Sequence, residues 1–181
     1  MQTVGLTAIV EKLKLKNLTP EVDMTEIAIT TPNINRPALQ LAGYFDHFAS
    51  DRVQIIGYVE YTYLKHLTAE QRVPIYEKFL SSEIPCVIFS SRTEPDDEFL
   101  RLAIKYNKPL LASEQETSPF MAECIRALST MLAPCISIHG VLVDVYGEGV
   151  LLMGDSGVGK SEAAPELVKR GHRLVTDDVV E

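Results

Sequence analysis

The chain lacks an apolar run of the roughly 20 residues a bilayer-crossing helix needs, and Met1-Gln2-Thr3-Val4 has neither the basic nor the apolar region of a secretory leader. Neither a membrane span nor a leader is expected. It also lacks positive charge: 17 Lys and Arg against 25 Asp and Glu leave a net charge of −8. Such a field repels polyanions and argues against a general affinity for nucleic acid or anionic membrane. Any bound nucleotide must therefore be held locally. Cysteine is scarce, and Cys86, Cys124 and Cys135 are odd in number without ligand spacing. They read as buried thiols of a reducing cytoplasm, not as a disulfide framework or a metal site. Internal repeats and low-complexity segments are absent as well. What remains is 181 residues, 46% hydrophobic and 23% charged, an ordinary globular composition for one domain with a real core or two small ones.

The first 131 residues alternate helix and strand signals. Leu6, Ile9, Val10 and Leu13 share one helix face, with Lys12, Lys14 and Lys16 near its end. A strand is expected at 26–30, a rigid connector at 32–37, a short helix at 38–42 ended by Gly43, and a buried strand at 53–57. Thr68 and Gln71 make a capping box for a helix to about Leu80, with Pro74 inside it as a possible kink. Residues 85–89 and 109–112 are apolar strands flanking a helix at 95–106, a spacing that implies a right-handed parallel α/β unit. Asp96, Asp97 and Glu98 read as a solvated helix start. Ser118-Pro119 opens a helix to about Met131 with Phe120, Cys124, Leu128 and Met131 inward. A domain boundary falls near 132–134, giving domains 1–131 and 132–181.

The second part carries the chemistry. Residues 136–140 and 141–146, a Gly-rich turn at Gly147-Glu148-Gly149 and the run Val150-Leu151-Leu152-Met153 favour an antiparallel hairpin. It leads straight into Gly154-Asp155-Ser156-Gly157-Val158-Gly159-Lys160-Ser161, which fits G-x-x-x-x-G-K-[ST] at every fixed position. Glycines there let backbone N–H groups turn inward around phosphate oxygens. Lys160 supplies a point charge to the β/γ-phosphates and Ser161 a hydroxyl to Mg²⁺. The helix that follows aims its positive end at the same anion and closes at Arg170-Gly171. The bland alternative is a Gly-rich turn without a ligand.

After the strand 172–176 stand Asp177 and Asp178. A carboxylate at the end of that strand falls near the bound phosphates. One of the pair could hold Mg²⁺ through water while the other accepts a proton from an attacking hydroxyl; the alternative is that the pair caps a turn. His139, protonated, could stabilise an attacking or leaving phosphate, although a histidine beside a glycine is often a structural residue. His47, His66 and His172 have no such positional argument.

His139-Gly140-Val141-Leu142-Val143-Asp144, the loop through Glu162, 167–175 and Asp177-Asp178 together resemble the bacterial HPr kinase/phosphorylase family. Upstream, Asn35-Arg36-Pro37 and Leu41-Ala42-Gly43-Tyr44-Phe45 resemble its N-terminal domain. The resemblance implies a cytoplasmic homohexamer linking carbon supply to catabolite repression. Its substrate would be the phosphocarrier HPr, phosphorylated on serine with ATP or pyrophosphate and dephosphorylated by inorganic phosphate to give pyrophosphate. It also implies that His139, Lys160 and an aspartate of the pair are catalytic, with Asp178 as proton acceptor and Asp177 close by. Residues 154–161 would bind the nucleotide and Ser161 would bind Mg²⁺.

Two departures accompany it. Pro165 stands in the loop's helix where the family has a small or aliphatic residue, removing an i→i−4 hydrogen bond. The family also continues beyond the position of Glu181, so the chain is expected to be a full N-terminal α/β domain plus the opening of a kinase domain, inactive alone. Other classes remain: a generic nucleotide-binding module such as a GTPase or small-molecule kinase, or a non-catalytic assembly fragment.

Overall fold

A computed structural model describes residues 2–154, 160–177 and 179–180, without the side chains of Lys160, Ser161 and Glu162. The chain divides into two compact units, Met1–Ala133 and Pro134–Glu181.

The first unit runs β1 (Val4–Gly5), α1 (Leu6–Lys12), β2 (Lys16–Asn17), β3 (Ala28–Ile29), β4 (Ile34–Asn35), α2 (Ala38–Leu41), β5 (Val53–Ile56), α3 (Tyr58–His66), α4 (Ala69–Leu80), β6 (Val87–Phe89), α5 (Asp97–Lys105), β7 (Leu110–Ala112) and α6 (Thr117–Met131). Its main sheet has the order β2-β7-β6-β5-β4, with β4 to β7 parallel and β2 antiparallel at the edge. Side chains alternate between two cores. Val53, Ile55, Cys86, Ile88 and Leu111 meet α1 and α6, whereas Ile56, Val87, Phe89 and Leu110 meet α4 and α5. Helices on both faces explain why these strands read as unbroken apolar runs. Each large side chain buried this way contributes about 1.5–3 kcal/mol.

The expected strands 53–57, 85–89 and 109–112 and the parallel unit around the 95–106 helix are present, each trimmed at its ends. Elsewhere the structure differs from the sequence reading. Residues 58–66 form α3, for which the alternating Tyr-Val-Glu-Tyr-Thr-Tyr pattern gave no helix signal. Its start is fixed by Glu60, 4% exposed, which accepts the Gly57 N–H (3.1 Å) and pairs with Arg36 (2.7 Å). Part of the connector 32–37 is an edge strand, β4, tied to β5 by Asn35 Nδ2 donating to Gln54 Oε1 (2.8 Å). Buried Gln54 in turn donates to the carbonyls of Ala49 and Arg52, so its burial leaves no polar atom unmet.

Helix α6 begins at Thr117, one residue before Ser118, with Glu116 at its cap position. Thr117 is held there because its hydroxyl bonds Ser90 Oγ (2.9 Å) and Ser91 Oγ (3.0 Å). Helix α4 runs through Pro74 without a break, with Gln71 Oε1 accepting the Thr68 N–H (2.9 Å). Asp96 is more than a solvated start. It accepts the Phe99 N–H (2.9 Å) and the Tyr76 hydroxyl (2.9 Å), and lies 3.5 Å from Arg72. Burial, and then the Asp96 charge, push the Tyr76 phenol above its ordinary range. Cys86 and Cys124 are buried as expected, but Cys135 is exposed: it sits in the connection beyond α6, where no core covers it.

The second unit contains β8 (Ile138–His139), β9 (Val141–Val145), β10 (Glu148–Leu152), α7 (Lys160–Lys169), β11 (Arg173–Thr176) and β12 (Val179–Val180). Strand β9 lies between β10 and β11, antiparallel to both, and β12 pairs with β8. Val141, Val143 and Ala164 form the buried centre, with Val145, Leu152 and Leu167 around it. Helix α7 continues through Pro165. It ends as its Arg170-Gly171 sequence predicts: Gly171 takes φ +93°, and the N–H groups of Gly171 and His172 reach the carbonyls of Val168 (3.0 Å) and Leu167 (3.1 Å).

Candidate functional site

The β9–β10 hairpin turns one step earlier than its glycines suggest. Val145 pairs with Glu148, so the turn is Tyr146-Gly147, and Glu148 and Gly149 belong to the strand. Both turn residues have positive φ, 56° and 88°, the two-residue turn whose twist matches a hairpin. Asp144 Oδ1 closes it by accepting the Gly147 N–H (2.7 Å). His172 stacks edge-on against Tyr146 with ring centres 4.8 Å apart. This histidine therefore belongs to the turn end of the sheet.

The opposite end gathers three described residues of the expected site, His139, Gly154 and Asp177. Because β10 and β11 are both antiparallel to β9, they run the same way and finish on the same edge. Leu152 of β10 pairs with Val141, and Thr176 of β11 pairs with Leu142. His139 and Gly140, just before β9, therefore share that edge with Met153 and Gly154, just after β10, and with Asp177, just after β11. The β8–β12 ladder reinforces it by pairing His139 with Val179.

Local devices shape the corner around Asp177. Strand β11 shifts register between Leu174 and Thr176, leaving Val175 as a bulge that bends the strand end. Past it, the Thr176 hydroxyl donates to the Val179 carbonyl (3.3 Å) and the Val179 N–H to the Asp177 carbonyl (3.0 Å). His139, Gly154 and Asp177 are all exposed.

Of the other expected site residues, Asp155, Ser156, Gly157, Val158, Gly159 and Asp178 lie outside the described residues. Lys160 and Ser161 open α7, and their side chains are likewise outside the description. Sequence reasoning missed Gly140, Thr176 and Val179 as shapers of this edge. The signal for Gly140 was the His-Gly step immediately before an apolar strand. A bulge such as that at Val175 leaves no such mark. Among the described residues, no group of three or more His, Cys, Asp or Glu side chains is placed to hold a metal, and no helix is long and apolar enough to cross a membrane. A hollow of about 240 Å³ in the first unit, lined by Tyr61, Lys65, Arg72, Tyr76 and Asp96 among others, contains none of the expected site residues.

In sequence a glycine-rich stretch separates β10 from α7, and His139 and Asp177 share the sheet edge at the end of β10. Comparison with known families shows what the chain is related to. The model "HPr Serine kinase N terminus" matches residues 4–128, and "HPr Serine kinase C-terminal domain" matches residues 130–181. The chain belongs to the HPr serine kinase family. HPr kinase/phosphorylase of Lachnoclostridium phytofermentans is 56% identical over 181 residues, covering 100% of this chain and 59% of that protein. The protein of the same name from Caldicellulosiruptor bescii is 51% identical over 179 residues, covering 99% and 57%. The chain thus spans less than two thirds of the length of these relatives. Among solved structures, the CBS and DRTGG domains of the Clostridium perfringens pyrophosphatase regulatory region align with a TM-score of 0.44 and 16% identity, over 67% of this chain and 45% of that one.

Proposed function

We propose that this chain forms part of a bifunctional protein serine kinase/phosphorylase acting on the phosphocarrier HPr, and that residues 154–161 are its phosphate loop. The observation that carries the reading is the shared edge: the strand leading to the loop, the strand leading to Asp177-Asp178, and the His139-Gly140 segment converge there. Family membership supplies the substrate class, as the named relatives are HPr kinase/phosphorylases. In this reading residues 1–131 are an N-terminal α/β domain, 132–181 open the kinase/phosphorylase domain behind the antiparallel hairpin, and the whole protein is a cytoplasmic homohexamer serving carbon regulation.

In the kinase direction, Asp178, with Asp177 close by, accepts the proton of the HPr seryl hydroxyl. The freed oxygen attacks the terminal phosphorus of ATP or pyrophosphate, and the P–O bond to the leaving group breaks, releasing ADP or inorganic phosphate. The Lys160 charge and the His139 imidazole stabilise the leaving oxygen. In reverse, an oxygen of inorganic phosphate attacks the phosphoseryl phosphorus and the bond to serine breaks. The aspartate returns its proton to the seryl oxygen, and pyrophosphate leaves.

The donor set fits Mg²⁺. A seryl hydroxyl at Ser161 and carboxylate oxygens at 177–178 are hard ligands, and Mg²⁺ commonly binds through one or two such groups plus the substrate phosphates, not in an all-protein cage. When bound, it would neutralise charge on the phosphates. Full-length Lys160→Ala is the test. It is expected to lose about 10²–10³-fold or more in both directions, the scale on which one charge-stabilising donor acts. Turnover retained at the wild-type level would remove the assignment of the loop. Comparing ATP, GTP and pyrophosphate as donors separates this reading from a generic nucleotide-binding module.

A further inference from the structure

The chemical edge is built around one residue without a side chain. Gly140 is buried, and its φ is not in the left-handed region, so glycine is not needed there for backbone conformation. It is needed for space. A Cβ at 140 would lie 2.9 Å from the carbonyl oxygen of Leu152 and 3.0 Å from Leu151 Cδ1. Leucine's Cδ1 can rotate away, but the Leu152 carbonyl belongs to the backbone two residues before Gly154.

We propose that Gly140 is a positioning residue for phosphoryl transfer, setting the distance between His139 and the strand end that carries the phosphate loop. The inference rests on the reading of 154–161 as that loop. The two sides of the contact differ in stiffness. Leu152 sits at the end of a five-pair ladder between β9 and β10, whereas His139 belongs to the two-pair ladder of β8 and β12. Any atom forced between them displaces the weaker side. That side carries His139 and, through Val179 and its hydrogen bond to the Asp177 carbonyl, the aspartate corner. Leu152 at the end of β10 would stay in place while His139 and the Asp177 corner are pushed out of line. Misplacement of about 1 Å at a reacting centre costs on the order of 10²-fold in rate.

The test uses full-length protein carrying Gly140→Ala, with Gly149→Ala as control in the same hairpin, where a Cβ meets only Leu142 Cδ1 at an ordinary 3.8 Å. Gly140→Ala is expected to lower kcat by roughly 100-fold in both directions, with ATP affinity by titration calorimetry kept within about threefold, a split that a general loss of folding does not produce. Gly149→Ala is expected to leave both near wild type. If Gly140→Ala does not fold, Val179→Pro loosens the same corner from the β12 side by removing the Val179 N–H, and the same split is expected. A kcat near wild type in Gly140→Ala, or ATP binding lost in proportion to rate, overturns the proposal. So does an unchanged kcat in Val179→Pro. Lys160→Ala run alongside keeps the two claims apart: activity retained there removes the loop assignment, while Lys160→Ala dead and Gly140→Ala fully active removes only the role of Gly140.

Discussion

The two units solve opposite problems. The first closes two hydrophobic cores around a five-stranded sheet, with Phe79, Phe89, Phe99 and Phe120 essentially without solvent contact. Among its described residues the second centres on Val141, Val143 and Ala164, and leaves Tyr146, Ile136 and Met153 at 92%, 69% and 64% exposure. Yet nearly every residue with a chemical argument lies in the second. In the proposed reading the packed core and the chemistry belong to different parts of the chain, so substitutions in one should leave the other's observable unchanged.

The largest effect expected is on the stability side. Phe99 is 1% exposed and packs edge-on against Tyr76 (4.7 Å between centroids) and Phe89 (5.5 Å). Phe99→Ala is expected to cost about 3–5 kcal/mol in urea unfolding of the first unit, from lost transfer energy plus the cavity left behind, with ATP affinity of the full-length protein unchanged. A parallel fall in ATP affinity would break the division between the units.

On the chemical side, His139→Ala in full-length protein should lower kcat by about 10²-fold or more, the scale of one acid–base or charge-stabilising group, without moving the unfolding midpoint of the first unit. Equal activity would return His139 to a structural role.

The smallest effect is in the thiols. Burial pushes the Cys86 thiol well above its ordinary value, and burial followed by the Glu123 charge pushes Cys124 up to about 12. Both thus hold their protons more tightly folded than unfolded, so the stability they confer is full below about pH 9, the unfolded value, and declines as pH rises toward 12. A thiol reagent at pH 8 should modify exposed Cys135 quickly and the other two only on unfolding. Rapid modification of all three would mean that the first unit opens far more readily than its packing implies.

How legible each region was in the sequence follows from the same contrast. Strands such as 87–89 could be read because burial on both faces demands continuous apolar residues. Helix α3 could not: its start is set by a long-range pairing of Glu60 with Arg36, which local pattern does not carry. The two-residue strands β2 and β4 are equally silent, since so short a segment has no period and exists only by pairing with β7 and β5. In the second unit, the template at 154–161 and the flanking His139 and Asp177-Asp178 were legible as residue types at spacings chemistry requires. What they could not reveal was the strand order that brings His139, Gly154 and Asp177 to one edge, the Val175 bulge, or the crowding at Gly140, because each depends on which strands become neighbours.

Donor use by the full-length protein is the decisive measurement. With pyrophosphate as sole donor and HPr as acceptor, seryl-phosphorylated HPr is expected, and with inorganic phosphate and the phosphorylated product, release of pyrophosphate. Phosphorylation from ATP or GTP with none from pyrophosphate, and no pyrophosphate formed in reverse, would contradict the proposed function.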